Sequence, residues 1–126
     1  MKQWIILIVF LSIVIISGVW QSCYLEKTAR YTLSDIEYVK NAAINGDFKF
    51  AKEGAENIER TWNDVETVWH IFIDSDEIDR VEERINLIKS YIDEEDKEEI
   101  IVHANELNRM INYIVKKQKV NIQNVL

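Results

Sequence analysis

Residues 3–25 contain no charged side chain, and their centre, from Trp4 to Trp20, is almost wholly apolar. At 1.5 Å of rise per residue, a helix of about 20 residues crosses a hydrocarbon core of about 30 Å. Trp4 and Trp20 bracket the run at the level where indole rings favour the bilayer interface. Phe10 lies in its interior, and Tyr24 adds a third aromatic anchor beyond Trp20. A buried core helix is the competing fate, but a small domain could not cover a helix that is apolar on every face. Residues 1–25 are therefore expected to form a transmembrane anchor in the lipid bilayer, and residues 26–126 an attached domain.

Retention of the segment follows from its flanks. A cleaved secretory signal needs a shorter apolar core and small residues before the cut. A lipoprotein signal would use Cys23, and Ser22 suits it, but Trp20 stands where such a signal wants a small aliphatic residue. An uncleaved signal anchor is expected. Lys2 precedes the run while Lys27, Arg30 and Lys40 follow it, so a bare count of positives favours a cytoplasmic domain. Long domains translocate largely regardless of charge, so the domain is expected on the extracytoplasmic side of a single-pass cell-membrane protein.

Beyond the anchor the chain has no proline, and glycine occurs only at Gly46 and Gly54. Long helices joined by short turns follow, giving an all-α antiparallel bundle of about four helices arranged as two α-hairpins. Ser34-Asp-Ile-Glu37 matches a capping box and is expected to open the first helix of the domain. That helix buries Ile36, Val39 and Ala43 and stops at Gly46, which suits a left-handed C′ position. Asp47 is placed to cap a second helix, whose seam runs through Phe48, Ala51, Ala55, Ile58, Trp62, Val65, Trp69 and Phe72. A third helix carries Ile78, Val81, Ile85, Ile88 and Ile92; a fourth, capped by Asp96, carries Ile100, Ala104, Leu107, Ile111 and Ile114. The first hairpin aligns on the second without a gap, matching Asp47 with Asp96 and Ala55 with Ala104. The offset is a multiple of seven, so any two heptad-like stretches would align. Only the paired aspartates and alanines speak for a duplication.

Charge narrows the partners. Residues 74–99 hold twelve Asp or Glu against Arg80, Arg84, Lys89 and Lys97, within a chain of formal net charge −7. Such a surface repels phosphate backbones, and no basic, aromatic-rich patch offsets it, so nucleic acid is not expected as a partner. The lone Cys23 leaves no internal disulfide framework and no cysteine-based zinc site. No Ser/His/Asp order, glycine-rich phosphate loop or redox cysteine pair is visible. A general acid would need burial or a neighbouring charge to tune it, and the paired acids fall off the apolar seams, as solvated faces do. The chain is expected to need no cofactor and not to be an enzyme.

Trp69, His70, Asp74, Asp76 and Glu77 form the candidate interaction or ligand face. Residues at i and i+4 share a helix face, so His70 could join the carboxylates that follow it around a cation. No second histidine lies at helical spacing, and Asp74-x-Asp76 lacks the glycine and third oxygen ligand of a calcium loop. Aromatics at helical spacing such as Trp62, Trp69 and Phe72 are more often core than groove.

With those residues in view, the chain resembles an uncharacterised bacterial family, domain of unknown function 4363. The likeness rests on the apolar start, Asn45-Gly-Asp-Phe48 leading to Trp62, Trp69-x-x-Phe-Ile-Asp74 and Glu77-Ile-Asp79. It continues in Ile88-x-x-Tyr-Ile92 and in the stretch from Asn121 to Leu126. The family often has a histidine before its Glu-Ile-Asp run, where this chain has Ser75. The resemblance implies a single-span membrane protein with a helical domain and carries no activity. A non-enzymatic interaction module is expected, with another envelope protein or a second copy of itself as partner; a cation or ligand sensor at residues 70–79 is the alternative.

Overall fold

A computed structural model describes residues 1–125; the side chains of Phe72, Ile122 and Val125 lie outside the description, as does Leu126. Four α-helices follow one another: α1 (Lys2–Ile44), α2 (Phe48–Phe72), α3 (Ser75–Asp93) and α4 (Lys97–Val125). Each packs on its chain neighbours, and α4 returns to α1, so the bundle closes as a ring with no diagonal pair among the described residues. This is the expected all-α architecture of two antiparallel hairpins.

The first helix corrects one expectation. No new helix opens at Ser34; α1 runs unbroken for 43 residues from the apolar run into the bundle. Nothing between Leu25 and Ser34 breaks a helix, and a seam of Leu25, Thr28, Ala29 and Thr32 continues smoothly into Ile36, Val39 and Ala43. A box at Ser34 would have satisfied N–H groups that the continuous ladder already satisfies. The two buried threonines hold their hydroxyls to α1's own carbonyls. Thr28 Oγ1 donates to Tyr24 O at 2.9 Å, shared with Leu25 O, and Thr32 Oγ1 donates to Thr28 O at 3.0 Å. Residues 1–17 are exposed all round, and cover begins at Gly18.

The seams of α2, α3 and α4 build the core largely as their spacing predicts. Ala51, Ala55, Ile58, Trp62, Val65 and Trp69 are buried from α2, with Phe48 packed against them. All five apolar positions expected on each of α3 and α4 are buried. Phe72, assigned to the same seam, has a side chain outside the described ones; Ile73, just past the helix, is buried.

The two turns farthest from the apolar run have the same geometry. In the first, Gly46 N–H donates to Ala43 O at 3.0 Å and Asp47 N–H to Ala42 O at 2.8 Å. In the second, Glu95 N–H donates to Ile92 O and Asp96 N–H to Tyr91 O, both at 3.0 Å. Both are Schellman motifs, which need a left-handed residue at C′. Gly46 supplies it at φ 73°, and Glu95 at φ 55°. The aspartate after each turn occupies the N-cap; Asp96 Oδ1 accepts from Glu99 N–H at 3.3 Å. The matched turns extend the likeness of the two hairpins beyond their heptad spacing.

At Gly54 α2 lies close against Tyr38 and Val39 of α1. A Cβ there would lie 2.7 Å from Val39 Cγ2 and 2.7 Å from the Tyr38 ring.

Two stability changes follow, both measurable by urea unfolding of the detergent-solubilised chain. A side chain in the left-handed region costs roughly 1–2 kcal/mol, so Glu95→Gly should stabilise by about 0.5–1 kcal/mol after glycine's own entropy cost. Gly54→Ala should destabilise by about 1–3 kcal/mol, because the overlap with buried Val39 outweighs the helix-propensity gain of about 1 kcal/mol. Gly18→Ala, with no atom within 4 Å, is its control.

Candidate functional site

The helices alternate in direction, so one end of the bundle adjoins the apolar half of α1. This near end gathers the last turn of α2, the first of α3 and the last turns of α4. It contains all five residues of the expected face, but does not bring them together as one surface.

Trp69 belongs to the core. Its ring is 0% exposed, meets Trp62 edge-on at a centroid distance of 5.3 Å, and donates from Nε1 to Thr28 Oγ1 at 3.0 Å. The apolar seam that made it visible is what buries it, so it offers nothing to a partner. His70, the next residue, points outward and pairs with Glu66, Nε2 to Oε1 at 3.5 Å, one turn back on α2. Ile71 beside it is 79% exposed.

Asp74, Asp76 and Glu77 open α3. Asp74 and Asp76 are exposed, whereas the Glu77 side chain is only 16% exposed. The position between Asp74 and Glu77 is taken by a lysine. Lys117 of α4 donates from Nζ to Glu77 Oε1 at 2.9 Å and lies 3.6 Å from Asp74 Oδ2. Among the described residues, no three His, Cys, Asp or Glu side chains converge as a metal-binding group. The acidic turn therefore works as a clasp between α3 and α4.

A second clasp ties α4 to α1: Lys119 Nζ donates to Glu26 Oε1 at 3.0 Å. Arg30 approaches the same oxygen at 3.7 Å. The hydrogen bond from Lys119, then its charge, holds the Glu26 carboxyl below the usual 4.5. The hydrogen bond to Glu77, followed by the charges of Glu77 and Asp74, holds the Lys117 ammonium above the usual 10.5. Neither clasp was evident from sequence, because each joins residues 40 or more positions apart.

Two further groupings escaped the sequence reading. At the other end of the α3–α4 interface, Arg84 donates from a guanidinium nitrogen to His103 Nδ1 at 2.6 Å. The same imidazole stacks on Tyr91 at 5.1 Å and faces Glu99 from Nε2 at 3.4 Å. Arginine can only donate, so Nδ1 accepts and the ring's proton sits on Nε2, toward Glu99. The i, i+4 spacing of Glu99 and His103 was the one available signal. On the outer seam of α1 and α2, Tyr31, Tyr38 and Phe50 are all exposed. Tyr31 and Tyr38 are two turns apart on α1, and Tyr38 lies over Gly54, one turn from Phe50 on α2.

Fold and near end together define a four-helix bundle whose first helix carries an N-terminal run long and apolar enough to cross a membrane. A family model described as "Domain of unknown function (DUF4363)" matches residues 19–125, and the chain belongs to that family. No curated protein and no solved structure matches the chain.

The clasps give the near end a pH dependence with two limbs. Glu26 contributes fully above 4.5, and its contribution is lost as pH falls through the lowered value. Lys117 contributes fully below 10.5, and its contribution is lost as pH rises through the raised value. Hydrogen-exchange protection in the last turns of α4 should therefore fall at both extremes before that of the far turns. Lys119→Gln should remove the acid limb and leave the alkaline one.

Proposed function

We propose that this chain is a membrane-anchored, non-enzymatic interaction module that holds a helical docking surface at a set height on the extracytoplasmic side. The observation that carries this is the unbroken passage of α1 from an exposed apolar run into the bundle core. A helix apolar on every face has no stable place in water, and a bilayer satisfies it. Because the same helix is one wall of the bundle, the anchor and the domain move as one body, with no linker between them.

The docking surface is the outer seam of α1 and α2, where Tyr31, Tyr38 and Phe50 stand exposed. Aromatic side chains bring large contact area at low entropic cost and are enriched where proteins meet. The partner is another envelope protein or a second copy of the chain.

Photo-crosslinking in intact cells tests the surface. A crosslinker at Tyr38 or Phe50 should give a discrete adduct, and one at the exposed acid Glu83 on α3 should not. Adducts at Glu83 alone would move the surface, and none at any position would end the interaction reading. Sidedness is tested separately with a single cysteine at Glu98 in a Cys23→Ser background. Labelling by a membrane-impermeant thiol reagent before lysis is expected; labelling only after lysis would put the domain in the cytoplasm.

A further inference from the structure

The uncharged stretch of α1 ends at Leu25, and Glu26 is the first charged residue after it. On α4 the last charged residue is Lys119, and residues 120–125 carry no charge. These two boundary residues bond to each other, Lys119 Nζ to Glu26 Oε1 at 3.0 Å. Both helices thus turn from charged to uncharged at one level of the bundle.

Below that level α4 continues as helix to Val125 beside the last apolar turns of α1. Six residues at 1.5 Å each carry it about 9 Å past the Glu26–Lys119 bond, to about the height of Trp20. The cover on α1 agrees, since Gln21, Ser22 and Tyr24 are half-buried while residues 1–17 are exposed. Trp20 and Tyr24 stack at 5.5 Å at this height, where an aromatic belt belongs. Val120 is exposed here, and exposed Lys27 and Lys116 lie just above, within reach of lipid phosphate. Headgroup regions are about 5–8 Å thick on each side of the hydrocarbon core, so a reach of about 9 Å takes α4 through that layer to about its inner edge.

We propose that residues 120–125 of α4 lie in the phospholipid headgroup layer, a second, non-spanning membrane contact that stands the bundle upright. The inference rests on α1 being the membrane anchor. Its occupant is the bilayer that α1 crosses: the side chains of residues 120–125 carry no charge and enter the interface without the cost of desolvating an ionised side chain, and the lysines above them meet phosphate. With two contacts at one level, the bundle cannot lean without pulling α4 out of the interface or breaking the Glu26–Lys119 bond.

The full chain in a Cys23→Ser background, reconstituted in vesicles of phosphatidylcholine and phosphatidylglycerol, provides the test. An environment-sensitive fluorophore is placed at Asn124→Cys, at Glu94→Cys on the far turn, or at Phe10→Cys in the apolar run. Quenching is measured with nitroxides on the lipid headgroup or in mid-chain. Expected are mid-chain quenching at position 10, and blue-shifted emission with headgroup quenching at position 124 several-fold above that at position 94. Quenching at 10 with position 124 as wet and unquenched as 94 would overturn the inference and leave the anchor standing. A blue shift at 124 without lipid quenching would also overturn it, because the helix end would then be covered by protein, such as a second copy. Absence of mid-chain quenching at 10 would remove the anchor, and the inference with it.

Discussion

The backbone hydrogen-bond ladder of α1 is the constraint on which the rest depends. It runs for 43 residues with no proline and no cap in between, so the chain has no hinge where its apolar half meets the bundle. What changes along α1 is the distribution of apolar side chains. Up to residue 17 every face is exposed, and from Leu25 only the faces toward α2 and α4 are buried. The direction of α1 is therefore the axis of the bundle, and the heights of α2, α3 and α4 are set against it.

Packing around that axis is apolar in bulk and polar at single points. Each of the four interfaces in the ring carries a cross-helix bond. Trp69 to Thr28 joins α1 and α2, and Trp62 to Glu82 joins α2 and α3. Lys117 to Glu77 joins α3 and α4, and Lys119 to Glu26 closes α4 on α1. Apolar seams alone permit sliding by a turn, whereas a directional bond between particular residues selects one register. The two ends differ in how they are held. The far end closes through backbone, by two matching Schellman turns; the near end closes through side chains, by two lysine clasps.

Much of the fold was legible because helical burial repeats every three or four residues. That period is plain in Ile78, Val81, Ile85, Ile88 and Ile92, and as plain in Ile100, Ala104, Leu107, Ile111 and Ile114. The start of the domain was misread because Ser34-Asp-Ile-Glu37 has the composition of a cap. Whether a local cap forms depends on whether the preceding residues are already helical. Thr28 and Thr32 hid the continuity of the seam, since polar residues carry no burial signal until their hydroxyls are seen bonded within the helix. Of the candidate face, the chain positions were legible and the arrangement was not. Trp69 and His70 are adjacent, yet a helix turns each residue about 100° from the last, sending one inward and the other to solvent.

Local sequence was enough to determine the helical class, the apolar run and its length, the core-facing stripe of α2, α3 and α4, and the left-handed turn at Gly46. Each depends on residues within a few turns of one another, whose spacing or backbone freedom is written directly in the chain. The tertiary structure decided that α1 is one helix, that Lys117 fills the acidic turn, and that α4 continues as helix to Val125, past the bond from Lys119 to Glu26. These depend on residues such as Glu26 and Lys119, which lie 93 positions apart in the chain and are joined only because the bundle closes. No local pattern encodes such a pair, because its energy exists only once packing has set the height of each helix.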